Sequence, residues 1–443
     1  MDEYFVGDRR MGAGHIGFSV VATDVGGGFS IGLGGLGFAM GLSGSWLLFT
    51  GLVGAWMAAV ILIPRVKALG DKYGWLTFPD FLEHRFDGRT RLAAAVVSAI
   101  GYAGFVGAQL LAGAKLGAVA FEVDVTTAVF VMAAVVLLYT AFGGMQAVVF
   151  TDTIQWAVLL GGLILVALPA AYFHVGGLDG LAAALPPEHL TLTNVTGKEL
   201  LTWAITIIPI WFVGMTLYQR IYATRDVQTA KRAFYLAGLL EYPLMAFTGT
   251  ALGMMARVVF PAAEPELGLP MLIKEVLPVG AVGIVMAAYF SAIMSTADSC
   301  LLASVGNCVN DLYQRYLRPN ASARQVLRLS RILTLVIGAL SVAVALLLPM
   351  VLDAILLAYS FMVSGLFVPT LAGLLWKRAT AEAAFWSTIG GGFSAVALGL
   401  FPALDPFGEP VLTAMPVSAV LLVSLSLLRP EPEALAETAP YSG

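Results

Sequence analysis

Long apolar runs separated by short polar stretches dominate this sequence. Of its 443 residues, 59% are hydrophobic and 12% are charged, whereas soluble globular proteins carry about 25% charged residues. A membrane-spanning helix needs about 20 predominantly apolar residues, and the apolar runs predict about twelve such spans. They lie at about 13–41, 45–64, 92–120, 125–142, 150–173, 199–217, 232–258, 277–306, 328–350, 351–375, 381–402 and 411–428. We therefore expect an all-α polytopic membrane protein.

Other classes of protein find little support in the sequence. The first twelve residues, MDEYFVGDRRMG, lack the apolar core of a secretory signal peptide. Cys300 and Cys308 lie in one apolar run and predict neither a disulfide nor a metal site. The four histidines form no H-x-x-H pattern, and no long basic run suggests nucleic acid binding. We expect neither enzyme activity nor an obligatory protein partner.

The distribution of positive charge predicts the orientation in the membrane. Cytoplasmic loops carry an excess of Lys and Arg, and with the N-terminus inside, 20 of the 24 such residues fall in inside segments. The exceptions are Lys115, which falls within a span, and Lys198, Arg257 and Lys274, which fall outside. We therefore expect a multi-pass protein of the plasma or inner membrane with both termini cytoplasmic. Residues 429–443, rich in Pro, Glu and Ala, are predicted to form a disordered tail.

The first span is interrupted at residues 22–28, which read Ala-Thr-Asp-Val-Gly-Gly-Gly. Glycine lowers helix stability, and a carboxylate in hydrocarbon is costly. One interpretation is a helix broken at mid-membrane, whose freed carbonyls face a cavity, as in transporters that hold ions and solutes there. The alternative is a tightly packed glycine-rich helix with Asp24 paired to a buried neighbour. Pro209, near the centre of the sixth span, is a second break signal.

Small and hydroxylated residues form a stripe on the eighth span. Ala292, Ser295, Thr296 and Ser299 are spaced by threes and fours, so they share one helix face. Such stripes are typical of close helix packing. They also suit a sodium site, because a hard cation is held by several oxygen ligands, and carbonyls freed at the break in the first span would supply the rest. From the residues alone both interpretations stay open.

Five stretches, in the same order along the chain, carry a resemblance to the sodium:solute symporter family. They are DEYFVGDRR (2–10), TFPDFLE (77–83), YTAFGGMQAVVFTDTIQ (139–155), SAIMSTADS (291–299) and VPTLAGLLWKR (368–378). The resemblance implies a LeuT-like core of five-plus-five inverted repeats, with broken first and sixth helices and sodium-coupled alternating access. Members usually carry one more helix before the first stretch, and we expect the transport core to work without it.

The implied architecture is one membrane transporter domain over 1–443. The first inverted repeat would span 13–173 and the second 199–375, followed by two extra C-terminal helices at 381–428. These boundaries follow the apolar runs and the repeat arrangement that the family implies.

The resemblance also implies a sodium site with five ligands. These are the carbonyls of Ala22, Val25 and Ala292 and the hydroxyls of Ser295 and Thr296. Asp24 would support the ion electrostatically, and Asp152 lies where some members form a second sodium site. Two further residues of the eighth span would complete that second site, but Asp298 stands where a hydroxyl is usual and only Ser299 fits. We therefore favour one coupled Na⁺.

The solute pocket is matched only in part. The predicted pocket residues are Thr23, Gly28, Phe105, Gln109, Trp211, Met215, Tyr359 and Phe361. Proline transporters place more aromatic residues at several of these positions, and the charged and amide residues of sugar carriers are not evident. We expect a small organic solute, with an amino acid or a small carboxylate favoured. The alternatives are a sugar or other solute on the same fold, a proton-coupled variant, and a solute sensor.

Overall fold

The computed structural model describes residues 9–24 and 26–429, without the side chains of Asp24, Gly26, Gly27, Phe29 and 142–157. Apart from one isolated bridge between Met11 and Thr224, the regular structure in these ranges is helical. The α-helices are α1 (Ala13–Asp24), α2 (Gly26–Met40), α3 (Trp46–Ile61), α4 (Ile63–Tyr73), α5 (Phe78–Arg85), α6 (Gly88–Phe121), α7 (Val125–Gly161), α8 (Leu168–His174), α9 (Gly177–Ala184), α10 (Gly197–Val213), α11 (Met215–Ala223), α12 (Val227–Leu239), α13 (Phe247–Val259), α14 (Pro265–Val276), α15 (Val279–Gly306), α16 (Ala323–Leu347), α17 (Val351–Leu375), α18 (Ala381–Leu400) and α19 (Pro410–Leu428). Three π-helical segments interrupt the series, at Gly162–Ala167, Leu240–Ala246 and Asn307–Leu317.

The all-α membrane fold is confirmed. Within the described ranges, seven helices are long and apolar enough to cross a membrane, or up to nine when each of two bent pairs counts as one span. Residues 30–61 count as one such segment, although the sequence predicts two spans there. Gly41, at φ +75°, starts a short 3₁₀ turn that separates α2 from α3. The number of twelve spans stays a prediction.

The break in the sixth predicted span lies at Gly214 and not at Pro209. Pro209 stays inside α10, whereas Gly214 leaves the helical region (φ −64°, ψ 113°) and α11 continues at an angle of 45°. Pro209 removes one backbone hydrogen bond from α10, but the hydrogen bonds of the neighbouring turns keep the helix continuous around it. The backbone amide of Thr216, which has no partner within α11 because it lies at the start of that helix, donates to the hydroxyl of Tyr102 on α6 at 3.1 Å.

An ion-pair network ties together the helix ends predicted to face the cytoplasm. Arg91 at the start of α6 lies 2.9 Å from Asp80 and 2.6 Å from Asp311, and it also pairs with Glu83. The hydroxyl of Thr77 donates to Asp311 at 2.9 Å. Because Asp311 is fully buried, its charge depends on these partners. The network joins α5, α6 and the π-helical segment that follows α15.

Candidate sodium and solute sites

Three of the predicted sodium ligands meet where α15 crosses α1. The hydroxyl oxygen of Thr296 lies 3.0 Å from the carbonyl oxygen of Ala22 and 3.0 Å from that of Ala292. All three residues are at most 2% exposed, and Ser295 beside them is 5% exposed. Thr296 has one proton and donates to one carbonyl at a time. Val25, the fifth predicted ligand, lies outside the described residues.

This cluster offers oxygen atoms without a carboxylate among its described members. Carbonyl and hydroxyl oxygens are hard, neutral ligands that suit an alkali or alkaline-earth cation better than a transition metal. A bound cation would take the hydroxyl lone pairs of Thr296, whose proton would turn away. The ion would then bridge α1 and α15. Among the described residues, no group of three His, Cys, Asp or Glu side chains has a metal-holding arrangement.

Asp298 and Ser299 lie on the same helix, just past this cluster. Asp298 is 1% exposed and accepts a hydrogen bond from the hydroxyl of Thr140 on α7. Its carboxylate therefore faces α7. Ser299 is buried as well. The side chains of Asp24 and Asp152 lie outside the described residues.

Four of the predicted solute-pocket residues come together between α2, α6 and α17. The amide of Gly28 donates to the side-chain oxygen of Gln109 at 3.1 Å. A methyl group on Gly28 would lie 2.5 Å from Gln109 Nε2, so the Gln109 amide would have to move if residue 28 carried a side chain. One turn earlier on α6, Phe105 stacks on Tyr359 with ring centroids 5.1 Å apart. Gln109 Nε2 has no hydrogen-bond partner among the described residues, and it can donate to an acceptor on a solute.

The other four predicted pocket residues contact different parts of the molecule. Arg220 donates to the hydroxyl of Thr23. Trp211 packs edge-on against Phe234 of α12, with centroids 5.6 Å apart.

The remaining two, Met215 and Phe361, contact other helices. The sulfur of Met215 accepts from the backbone amide of Phe78 on α5, at 3.3 Å. Phe361 packs against a small cluster of α18 and α19 that contains Ala395, Leu398 and Ala414. None of these four contacts involves Gly28 or Gln109. The family resemblance placed Trp211 and Met215 at pocket positions, but the directions of the side chains were not visible in the sequence.

Comparison with known proteins decides the family. A model of the sodium:solute symporter family matches residues 4–391. The chain belongs to this family. Its membership confirms a sodium-coupled solute transporter and not an enzyme, with sodium as the coupling ion.

Individual relatives agree with the family assignment. The high-affinity proline transporter PutP of Bacillus subtilis (strain 168) is 28% identical over 362 residues, which cover 78% of this chain and 75% of that protein. The sodium/pantothenate symporter of Escherichia coli (strain K12) is 29% identical over 437 residues, covering 96% and 89%. The solved structure of a Na⁺-coupled sialic acid symporter, in a substrate-bound outward-open state, gives a TM-score of 0.76 at 22% identity and covers 96% and 92%. At this identity the likeness shows the fold, and it confirms the LeuT-like architecture of this symporter.

Arg220 is a buried residue of the symporter that the sequence placed in an inside loop. It is 8% exposed, and its guanidinium donates to the carbonyl of Ser19 at 3.3 Å and to that of Thr216 at 3.0 Å. Together with the bond to Thr23, these contacts join α11 to α1, next to Ala22. A charged residue four positions after Thr216 in an apolar stretch was the available signal.

Lys115 forms a second buried contact that the sequence did not resolve. Its ammonium lies 2.9 Å from Glu266 of α14 and also pairs with Glu264. The same Glu266 carboxylate accepts from the amides of Val351 and Leu352 at 2.8 and 3.0 Å, so it caps the start of α17. Lys115 therefore ties α6, α14 and α17 together.

Proposed function

We propose that this symporter imports a small organic solute with one sodium ion, and that the solute is an amino acid or a small carboxylate. The observation that carries the sodium part is the meeting of Ala22, Ala292 and Thr296 oxygens between α1 and α15. Carbonyl oxygens freed at a helix break are the ligands that transporters use for Na⁺. Ser295, Val25 and the supporting Asp24 complete the proposed site.

One coupled ion is favoured over two. Asp298, which stands where the second site would need a hydroxyl, already accepts the hydroxyl proton of Thr140. That hydrogen bond occupies part of its carboxylate and directs it toward α7. Ser299 and Asp152 remain the candidates for a second ion.

The solute would occupy the space beside Gly28, Phe105, Gln109 and Tyr359. The stacked rings supply an apolar wall, and the unpaired Nε2 of Gln109 supplies a donor. A carboxylate or carbonyl oxygen on the solute would satisfy this donor, whose burial without a partner costs about 1 to 3 kcal/mol. A small solute with one acceptor end and an apolar body fits these groups.

Localisation and orientation belong to the same proposal. The excess of Lys and Arg in alternate segments supports a plasma or inner membrane protein with both termini cytoplasmic. Solute and lipid bilayer are the only partners proposed.

Uptake into proteoliposomes tests the proposal. Candidate amino acids, small carboxylates and sugars are first screened by thermal shift, with Na⁺ or with choline at equal ionic strength. A solute that stabilises the protein only with Na⁺ is then used for uptake. We expect an inward Na⁺ gradient to drive uptake and Ser295→Ala to weaken it. Uptake that is unchanged in choline and follows a pH gradient would instead establish proton coupling.

A further inference from the structure

A cavity of about 450 Å³ opens at the end of the molecule predicted to face outward. Small-molecule sites in proteins have volumes of about 300 to 1,000 Å³. Its walls come from the first turns of α10 and α17, the end of α2, and residues 402–410 between α18 and α19. Four carboxylates line it: Glu199, Asp353, Asp405 and Glu409.

These carboxylates differ in their partners. Glu199 accepts from Thr196 in its own turn, and Asp405 accepts from the backbone amide of Phe407 and from the hydroxyl of Thr413 on α19. The carboxylates of Asp353 and Glu409, in contrast, have no hydrogen-bond or ion-pair partner among the described residues.

Lys198 is the neighbouring cation. It lies near Gly408, where an added methyl group would be 3.6 Å from its ammonium. Burial raises the pKa of Glu409, and Lys198 opposes this effect in part. Lys115 also acts on Asp353, but its charge is balanced by Glu264 and Glu266. The four carboxylates therefore outweigh the neighbouring lysines, and the cavity repels anions and attracts cations.

The rest of the lining is suited to an organic ligand. Leu352, Leu356 and Trp203 contribute apolar surface. Thr202 also lines the cavity; it is 6% exposed, and its hydroxyl oxygen has no hydrogen-bond partner in the described part of the chain. A buried hydroxyl without a partner is unusual and marks a position that a ligand or water can fill.

Two observations separate an organic cation from a metal ion. The described carboxylates include no group of three that converges as metal ligands. Apolar side chains also line the cavity, whereas a metal ion would need oxygen atoms on most sides. A protonated amine carries its charge on one end and an alkyl body on the other, which matches both kinds of wall.

We propose that this outer cavity binds the ammonium group of an organic solute, and that the imported solute is an amine or amino acid and not a plain carboxylate. The inference rests on the proposed import function and narrows its solute class. The position of the cavity, close to the proposed solute pocket, supports this narrower solute class. Thr202 is followed one helical turn further in by Thr206, and Ser360 adjoins Tyr359 of the proposed solute pocket.

Binding of n-butylammonium chloride to the full chain in lipid nanodiscs tests the inference. Affinity is measured by saturation-transfer difference NMR at low salt, with n-butanol and sodium butyrate as probes of matched size. We expect butylammonium to bind at least tenfold more tightly than either. Equal binding of butanol would overturn the inference, because the cavity would then be only an apolar cleft. Displacement by Mg²⁺ at concentrations below those of butylammonium would also overturn it, in favour of an inorganic cation.

Three variants locate the binding. The double variant Asp353→Asn with Glu409→Gln keeps the side-chain shapes and should weaken butylammonium binding at least tenfold. Glu275→Gln, an exposed acid outside the cavity, should leave it unchanged. Leu356→Trp fills the cavity while keeping every carboxylate, so it should abolish butylammonium binding. This variant tests the binding site even if the double variant does not fold. Unchanged binding in either cavity variant would refute the site.

The sodium-dependent thermal shift is measured on the same preparations. It depends on Thr296 and Ser295 and not on the outer cavity. Loss of the sodium effect with butylammonium binding intact would count against the proposed import function alone. The opposite result would count against the inference alone.

Discussion

Replacement of Thr296 by Val separates a sodium site from ordinary helix packing. Valine keeps the shape of threonine but replaces the hydroxyl with a methyl group. In the ion-free protein the variant loses one buried hydrogen bond, which lies at 3.0 Å from either Ala22 or Ala292 and is worth about 1 kcal/mol. With Na⁺ bound it loses an oxygen contact to a charged group, worth about 1.5 to 3 kcal/mol. The change in Na⁺ affinity is the difference between these two losses, about 0.5 to 2 kcal/mol, so we expect about twofold to thirtyfold weaker Na⁺ binding.

Thr388→Val provides the matched control. Thr388 is also fully buried, and its hydroxyl bonds to the carbonyl four residues earlier, Ala384, at 2.9 Å. It has no contact with α1, so its replacement should lower the melting temperature slightly and leave the sodium effect unchanged.

The assay is a Na⁺ titration of the melting temperature, with choline replacing sodium at constant ionic strength. A ligand that binds only the folded state stabilises it in proportion to ln(1 + [Na⁺]/Kd), so the titration yields an apparent Kd. Wild-type sodium affinity in Thr296→Val would refute the assignment. An equal loss in Thr388→Val would show that the effect reflects general destabilisation.

Three further changes test other parts of the structure. Gly28→Ala places a methyl group against the Gln109 amide and should raise the KM for solute severalfold in uptake assays, while sodium-dependent stabilisation persists. Arg91→Gln leaves the buried Asp311 without its main partner and should destabilise the fold by about 3 to 5 kcal/mol, visible as a large drop in melting temperature; a small drop would contradict the network. Burial lowers the pKa of His189 below 6.5, so its protonation opposes folding. The stability that His189 contributes should therefore fall as the pH drops below 6.5, so the melting temperature of the wild type relative to that of His189→Gln should decrease over this range.

The sequence predicts the fold class well because membrane helices are defined by length and apolarity. The stretch 22–28 and the stripe on the eighth span pointed to α1 and α15, and the structure brings Ala22 and Thr296 to 3.0 Å. Spacing placed Ala292, Ser295 and Thr296 on one face of α15, since residues three and four apart share a face, and the family resemblance supplied Ala22 as their partner.

The sequence did not predict the directions in which side chains point. Trp211 on α10 and Phe361 on α17 are aromatic residues of core helices, yet each packs against a neighbouring helix. Pro209 suggested the wrong position for a helix break: the break lies five residues later, at Gly214, and glycine is a weak helix former. The pairing of Lys115 with Glu266 joins residues 151 positions apart, which no local pattern reveals.

The hydrogen bond from the Thr216 amide to the Tyr102 hydroxyl implies that water enters between α11 and α6 when these helices separate. Any motion that separates α11 from α6 removes the hydroxyl that satisfies the Thr216 amide. A backbone amide without a partner is costly in a dry environment, so water has to follow the helix into the gap. Osmotic stress, which withdraws water from such gaps, should therefore oppose this motion and slow the turnover of the transporter.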